Sequence, residues 1–193
     1  MSVGIPVNQI LDDSQGILRQ IRQVYGQRLQ AIVEARGVEQ ATYRDLLPTD
    51  VNNSVVIGGL TNPNALSADV FVTDQFPNFT LDVDQAAVLY GFADLGGIPG
   101  INELDCAIGV GTPTAMLAKI FTEQAYAHAS PITILSNPVF YLPRDHVNLS
   151  FLSHVAISAN ANPILVLGLI AEKVGRNVTP RSQSQLGTTP AST

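Results

Sequence analysis

From residue 51 onward the chain is a succession of short apolar runs separated by clusters of turn-forming residues. The runs are rich in β-branched and aromatic residues, as in "ADVFVTD", "ELDCAIGV", "SPITILSNPVFYL", "VNLSFLSHVAIS" and "PILVLGLIAEKV". Asn, Pro, Gly and Ser accumulate between them, as in "LTNPNALS" and "ISANANP". Strand-length runs with such punctuation are typical of antiparallel sandwiches and barrels. We therefore expect a mainly β protein in which residues 51–175 form an antiparallel β-sandwich.

Residues 8 to about 36 have a different pattern, because their apolar residues recur at the three- and four-residue intervals of an α-helix. Gln and Arg fill the opposite side, and Gly37 stands where a C-terminal cap is expected. We expect an N-terminal helical arm over residues 1–50. Its apolar face is a hypothetical interface formed by Ile10, Leu11, Ile17, Leu18, Ile21, Val24, Tyr25 and Ile32.

Two partners are possible for this apolar face. A row at strict seven-residue intervals from Leu11 to Ile32 suits a short coiled coil, but Ser14 and Arg28 interrupt the second row that such a seam needs. The alternative is a helix that lies along its own domain. If the arm mediates assembly, deletion of residues 1–36 should abolish assembly and leave the sandwich folded.

Two further segments complete the expected organisation. The sequence "TAMLAKIFTEQAYAHA" (114–129) has helical composition and predicts a helix on the sandwich, with a strand through "MLAKIF" as the alternative. The tail "RNVTPRSQSQLGTTPAST" (176–193) is polar and predicts an extended C-terminal arm. Strands do not alternate regularly with helices, so a parallel nucleotide-binding sheet is not expected.

The chain carries few charges for its size. Charged residues make up 13% of it, about half the usual quarter. The net charge of -6 opposes direct nucleic-acid binding, which requires clustered Lys and Arg. The longest apolar run, "PILVLGLIA", is shorter than the roughly 20 residues of a membrane-spanning helix, and no secretion signal is visible. We therefore expect much of the surface to be buried in a protein assembly.

The stretch "NPVFYLPRDHVNLSF" (137–151) places Asp145 and His146 between two apolar runs. Pro143 suits a turn, and Val147, Leu149 and Phe151 alternate with polar residues downstream. This pattern predicts a β-hairpin with Asp145 and His146 solvated at its tip, rather than an active site. The single cysteine, Cys106, lies between apolar neighbours and is predicted to be a buried small residue.

No catalytic, cofactor-binding or metal-ligating residue is assigned from the sequence. His128, His146 and His154 lack the close spacing of a cupin metal site, so they could bind a metal only through tertiary convergence. Asp82 and Asp84 lack an EF-hand pattern. Together with Asp74 they are predicted to lie on a solvent-facing strand edge, where carboxylates oppose edge-to-edge aggregation.

The segment "SPITILSNPVFYLPRDHVNLSFLSHVAIS" followed by "ANPILVLGLIAEKV" resembles the jelly-roll or β-sandwich modules of tailed-bacteriophage virion proteins, especially capsid cement or decoration proteins. The resemblance covers roughly residues 51–175. It implies a non-enzymatic structural protein on the capsid surface, often a homotrimer, that binds and stabilises the shell of the major capsid protein. We expect no cofactor, nucleic-acid partner or membrane partner.

Two other classes of function stay open. One is a tail, neck or fibre component, or a carbohydrate-binding module that uses Tyr90, Tyr126 or Tyr141. The other is a small cupin- or glycosidase-type enzyme. It would require the three histidines, or Asp82 with a second carboxylate, to converge in a pocket.

Overall fold

The computed structural model describes residues 16–46, 50, 67–74, 76, 79–94, 101–122, 132–158 and 164–175. These ranges contain one α-helix and eight β-strands. In chain order the elements are α1 (Ile17–Glu34), β1 (Ala41–Asp45), β2 (Val70–Val72), β3 (Ala86–Asp94), β4 (Ile101–Ile108), β5 (Ala115–Phe121), β6 (Ile132–Tyr141), β7 (Val147–Ser153) and β8 (Ile164–Lys173).

The strands form two four-stranded sheets in which every pairing is antiparallel. Sheet I has the order β1-β8-β3-β6, and sheet II has the order β2-β7-β4-β5. One apolar core joins the two sheets: it includes Leu89 and Tyr141 from sheet I and Leu104, Leu149 and Phe151 from sheet II. The predicted mainly β sandwich is therefore confirmed.

Helix α1 lies on the other face of sheet I. Leu29 and Val33 are fully buried there against a second apolar cluster that includes Val88, Tyr90 and Leu169. The helix has one apolar stripe, and that stripe finds its partner in the chain's own sheet. Gly37, with φ +87°, terminates the helix as the sequence predicted, because a residue with a Cβ is strained in that conformation. Residues 8–15 of the predicted helix lie outside the described residues.

A close approach of backbone to ring explains the glycine in the middle of the helix. A Cβ on Gly26 would lie 2.5 Å from three ring atoms of Tyr43 on β1. Gly26 therefore permits the close approach of α1 to β1 of the same chain. No helix among the described ranges has the length and apolar content needed to span a bilayer.

The preferred prediction of a helix within 114–129 is wrong for residues 115–121, which form strand β5, and the alternative of a strand through "MLAKIF" is confirmed. Strand β5 pairs with β4 from Ala115, opposite Ile108, to Phe121, opposite Glu103. A bulge interrupts this pairing at Leu117, which has no opposite residue. Ala, Met, Leu and Lys are good helix formers, but local propensity is weak compared with the backbone hydrogen bonds of a sheet edge. Residues 123–129 lie outside the described residues.

The predicted hairpin at residues 137–151 is also wrong, although the turn within it is confirmed. Strand β6 belongs to sheet I and β7 to sheet II, so the turn carries the chain from one sheet to the other. Alternating apolar residues reveal the face of a strand, but they do not reveal the sheet to which it pairs.

Candidate functional site

Asp145 forms the turn between β6 and β7 through its own hydrogen bonds. Its backbone N–H donates to Leu142 O at 3.0 Å, and its Oδ2 accepts from Leu142 N at 2.7 Å. Arg144 adopts φ +75°, and Asp145 O accepts from Leu81 N at 2.9 Å. Short side chains of this type favour turns by bonding to nearby backbone. The role of Asp145 is therefore structural.

His146 is buried, contrary to the prediction that it is solvated. Its exposed fraction is 5%, and its Nε2 lies 3.0 and 3.1 Å from the two carboxylate oxygens of Asp74, which is also buried. Its Nδ1 lies 2.8 Å from Thr80 Oγ1. A carboxylate can only accept, so Nε2 carries a proton and donates to Asp74.

Further hydrogen bonds extend this cluster across the outer face of β7. Asp74 Oδ2 accepts from Gly111 N at 2.7 Å, and Asp74 N donates to Ser150 Oγ at 3.1 Å. Ser150 Oγ donates to Asn148 Oδ1 at 2.9 Å. Asn148 Nδ2 in turn donates to Gly109 O at 2.7 Å. These contacts explain why the polar residues of β7 are buried like its apolar ones.

The chain of groups from Thr80 through His146 to Asp74 has the connectivity of a nucleophile, a base and an orienting carboxylate. A catalytic site of that kind also needs donors near the position of a developing oxyanion. Here the adjacent Gly111 N–H donates to Asp74 instead. Thr80 and His146 also face each other in an antiparallel bridge, where such side chains meet for structural reasons. We interpret the cluster as a set of structural hydrogen bonds that joins the segments around Asp74, Thr80 and Gly111.

The other predicted polar residues do not converge on this cluster. His154 is exposed and bonds Asp69 Oδ1 at 2.7 Å, while His128 lies outside the described residues. The described residues contain no group of three or more His, Cys, Asp or Glu side chains that could hold a metal ion. The predicted strand edge with three aspartates is wrong, because Asp74 is buried and Asp82 and Asp84 flank a turn before β3.

Cys106 is buried in the core between the sheets, as predicted. Burial raises the pKa of its thiol to about 12, so the reactive thiolate is not formed near neutral pH. Tyr90 and Tyr141 are also buried, with 5% and 0% exposure, and so do not line a surface groove for a sugar. Tyr126 lies outside the described residues.

A pair of acidic side chains lies on the outer face of β4, which sequence reasoning missed. Glu103 and Asp105 are both buried, and Lys119 of β5 contacts the Glu103 carboxylate. Lys119 Nζ lies 3.8 Å from Asp105 Oδ2. Asp105 Oδ1 is enclosed, and no described residue hydrogen-bonds it. Burial raises the pKa of Asp105, which the nearby ammonium partly offsets.

The two outermost strands of sheet II expose apolar side chains. On β5, the exposed fractions are 51% for Met116, 41% for Leu117 and 56% for Phe121. On β2, they are 50% for Val70 and 37% for Phe71. We call these the β5 edge (Met116, Leu117, Lys119 and Phe121) and the β2 edge (Val70 and Phe71). Exposed apolar strand edges favour pairing with another chain.

The outermost strands of sheet I are different in character. Strand β1 carries Arg44 and Asp45, and Asp45 forms an ion pair with Arg22 of α1 at 2.7 Å. Strand β6 contains the sequence Ser136-Asn137-Pro138. Charges and proline are the usual means by which proteins prevent edge pairing. Strands β5 and β2 of sheet II expose more apolar side chain than these two strands, although β5 also carries Lys119 and a bulge and β2 is only 3 residues long.

The described residues of the hypothetical helix interface lie mostly against the chain's own sheet I. Four of its residues pack toward the cluster under the helix and are partly buried: Leu18, Ile21, Tyr25 and Ile32. Val24 is 59% exposed. Ile10, Leu11 and the Ile17 side chain lie outside the described part of the chain. The described stripe thus contacts the chain's own sheet, and Val24 points away from it.

Comparison with protein-family models, with curated proteins and with solved structures found no match for this chain.

Proposed function

We propose that this chain is a non-enzymatic structural protein of a virion, which binds the shell of the major capsid protein as a cement or decoration protein. The observation that carries the proposal is the β5 edge, where Met116, Leu117 and Phe121 are 41–56% exposed on an outermost strand. Such a surface favours a protein partner over solvent, because each buried apolar side chain contributes about 1.5–3 kcal/mol.

The low charge of the chain supports the same proposal. With 13% charged residues, the chain has little polar surface to keep an isolated copy dispersed at high concentration. The net charge of -6 suits a partner that presents basic groups. A sandwich with a fixed core and apolar edges supplies a rigid body that could clamp neighbouring subunits on the capsid surface.

The test is co-sedimentation of the purified full chain with empty shells of the major capsid protein from the same virus. We expect saturable binding and a higher melting temperature of the decorated shell. The Phe121→Ser variant should bind about tenfold more weakly, because it removes a large apolar side chain from an interface. Val83→Ser is the matched control, since Val83 is also 56% exposed but lies in a turn. Absence of pelleting at saturating chain would overturn the proposal.

A further inference from the structure

We propose that strand β5 opens locally when Asp105 loses its proton, so that rising pH loosens this edge of sheet II while the rest of the sandwich stays folded. The inference concerns the free chain and does not depend on a capsid partner. If the proposed function holds, the strand that opens is the one that carries the β5 edge.

Asp105 belongs to a buried cluster that contains two carboxyls and one ammonium. The side chains of Glu103 and Asp105 are only 9% and 3% exposed. The Lys119 ammonium contacts the Glu103 carboxylate and lies 3.8 Å from Asp105 Oδ2. Asp105 Oδ1 is enclosed, and no described residue hydrogen-bonds it. With both carboxyls ionised the cluster holds one uncompensated negative charge, which is costly in a buried place; with Asp105 protonated the cluster is neutral.

Lys119 and Glu103 are the charged groups of the described chain that act on Asp105. On the other side of Asp105 lies β7, which has no ionisable side chain and places Ser150 opposite Asp105. The Ser150 hydroxyl donates to Asn148 Oδ1. Asp74 donates its backbone N–H to Ser150 Oγ, but its carboxylate bonds His146. The uncompensated charge is therefore relieved either by a proton or by water.

The direction of the pH effect follows from the raised affinity of Asp105 for its proton. Burial raises the pKa of Asp105, the Lys119 ammonium partly offsets this, and the Glu103 carboxylate adds to it. Once water reaches the carboxyl its pKa returns to the ordinary value of about 4, so opening releases a proton. Opening is therefore insensitive to pH below about 4 and becomes more favourable as pH rises from there to the raised pKa. Above the raised pKa the dependence ends.

Strand β5 is the side of the cluster that can move. Within the described sheet it pairs with β4 alone, whereas β7 pairs with both β2 and β4. Among the side chains of β5 only Ile120 is buried, so few apolar contacts oppose opening. A bulge at Leu117 interrupts the pairing two residues from Lys119. Elements with little packing of this kind open without global unfolding.

The two ends of β5 are held to β4 by backbone hydrogen bonds. Thr114 N donates to Ile108 O at 2.7 Å, and Thr122 N donates to Asn102 O at 2.9 Å. Thr122 is also fully buried. Opening is therefore confined to the residues between these two bonds, 115–121.

The experiment is hydrogen–deuterium exchange of the dilute full chain at several values from pH 4 to pH 7. Each measured rate is compared with the intrinsic exchange rate at the same pH, which gives the protection of the amide. In the wild type, peptides from 115–121 should lose protection as pH rises, and peptides from β7 should keep theirs. An equal loss at β5 and β7 would mean global unfolding, and constant protection at β5 would mean no opening; either result would overturn the proposal.

Three variants test whether Asp105 is the cause. Asp105→Asn keeps the shape of the side chain but cannot ionise, so protection of β5 should be the same at pH 4 and pH 7. Glu103→Gln leaves one ammonium for one carboxylate, so the loss of protection should be smaller than in the wild type. Asp82→Asn is the matched control, because it removes an exposed carboxylate in the turn before β3 and should keep the full loss. A full loss of β5 protection in Asp105→Asn would overturn the proposal. Pelleting with shells is a separate assay, so this inference and the proposed function can each fail alone.

Discussion

Asp74 and His146 form a buried acid–imidazole pair, and Asp69 and His154 form a similar pair at the surface. The buried carboxylate also accepts from Gly111 N, so two donors, His146 Nε2 and Gly111 N, depend on it. Asp74→Ala should lower the free energy of unfolding by about 2–4 kcal/mol, because it leaves buried donors unsatisfied. Asp69→Ala is the matched control and should cost less than about 1 kcal/mol, as exposed pairs do. Urea denaturation of dilute protein measures both; equal losses would contradict the structural role of the cluster.

The buried carboxyl of Asp105 predicts how the stability of the fold changes with pH. Since burial raises its pKa in the folded state, the folded chain holds this proton more tightly than the unfolded chain does. The contribution of Asp105 to stability therefore falls as pH rises above about 4, the ordinary carboxyl value, toward the raised pKa. Asp105→Asn cannot ionise, so its stability relative to wild type should increase between pH 4 and pH 7. Thermal denaturation across this range measures the difference.

Lys119 provides the companion variant, because its ammonium lowers the pKa of Asp105. Lys119→Met should leave the start of the stability loss near pH 4, the approximate unfolded carboxyl value, and extend the loss to higher pH, because the folded pKa of Asp105 rises further. If the difference in thermal stability between Asp105→Asn and wild type stayed constant from pH 4 to pH 7, the Asp105 carboxyl would have the same pKa in the folded and unfolded chain, contrary to the prediction.

At the scale of elements, the contact between α1 and β1 decides the effect of a helix substitution. Gly-to-Ala changes ordinarily stabilise a helix by about 1 kcal/mol. At Gly26, however, the new Cβ would overlap the ring of Tyr43. We expect Gly26→Ala to destabilise the protein by about 1–3 kcal/mol, the cost of overpacking. Gln23→Ala, at an exposed position of the same helix, should be nearly neutral.

The double variant separates the steric cause from a general weakening of the helix. Tyr43→Ala removes the ring that Gly26 faces, so Gly26→Ala should cost much less in that background. Denaturation of wild type, the two single variants and the double variant gives the coupling free energy between positions 26 and 43. Additive losses would mean that the glycine serves another purpose.

Sequence patterns were reliable where a single element decides the outcome. The periodicity of α1, the cap at Gly37 and the turn around Asp145 depend on local backbone preferences, which nearby residues encode. For residues 115–121 the helix was preferred and the strand was only the alternative, because their composition favours a helix and only pairing with β4 overrides that preference.

The candidate surface was missed for a related reason. Whether Met116 and Phe121 are exposed depends on the order of strands in sheet II, and no local pattern states that order. The burial of His146 likewise depends on Asp74, which lies 72 residues away in the chain. Contacts of this range are set by the packing of whole sheets.

At the scale of the whole molecule, the two sheets differ in how well they are covered. Strands β3 and β8 are interior strands of sheet I, with α1 on one face and sheet II on the other. Strands β2 and β5 are the outermost strands of sheet II and carry exposed apolar side chains. Backbone amides of strands that are packed on both faces should be better protected from hydrogen exchange, because elements with less packing open without global unfolding.

Hydrogen–deuterium exchange should therefore resolve two levels of stability in the dilute chain. Peptides from β3 and β8 should exchange slowest, and peptides from β2 and β5 should exchange fastest among the strands. When the chain is bound to shells of the major capsid protein, β5 should gain protection, because its exposed apolar side chains would be covered. Peptides from β1 and β6, the charged and proline-bearing edges of sheet I, are the internal control and should not change. Protection gained at β1 or β6 instead would place the contact with the shell on sheet I and contradict the role proposed for the exposed side chains of β5.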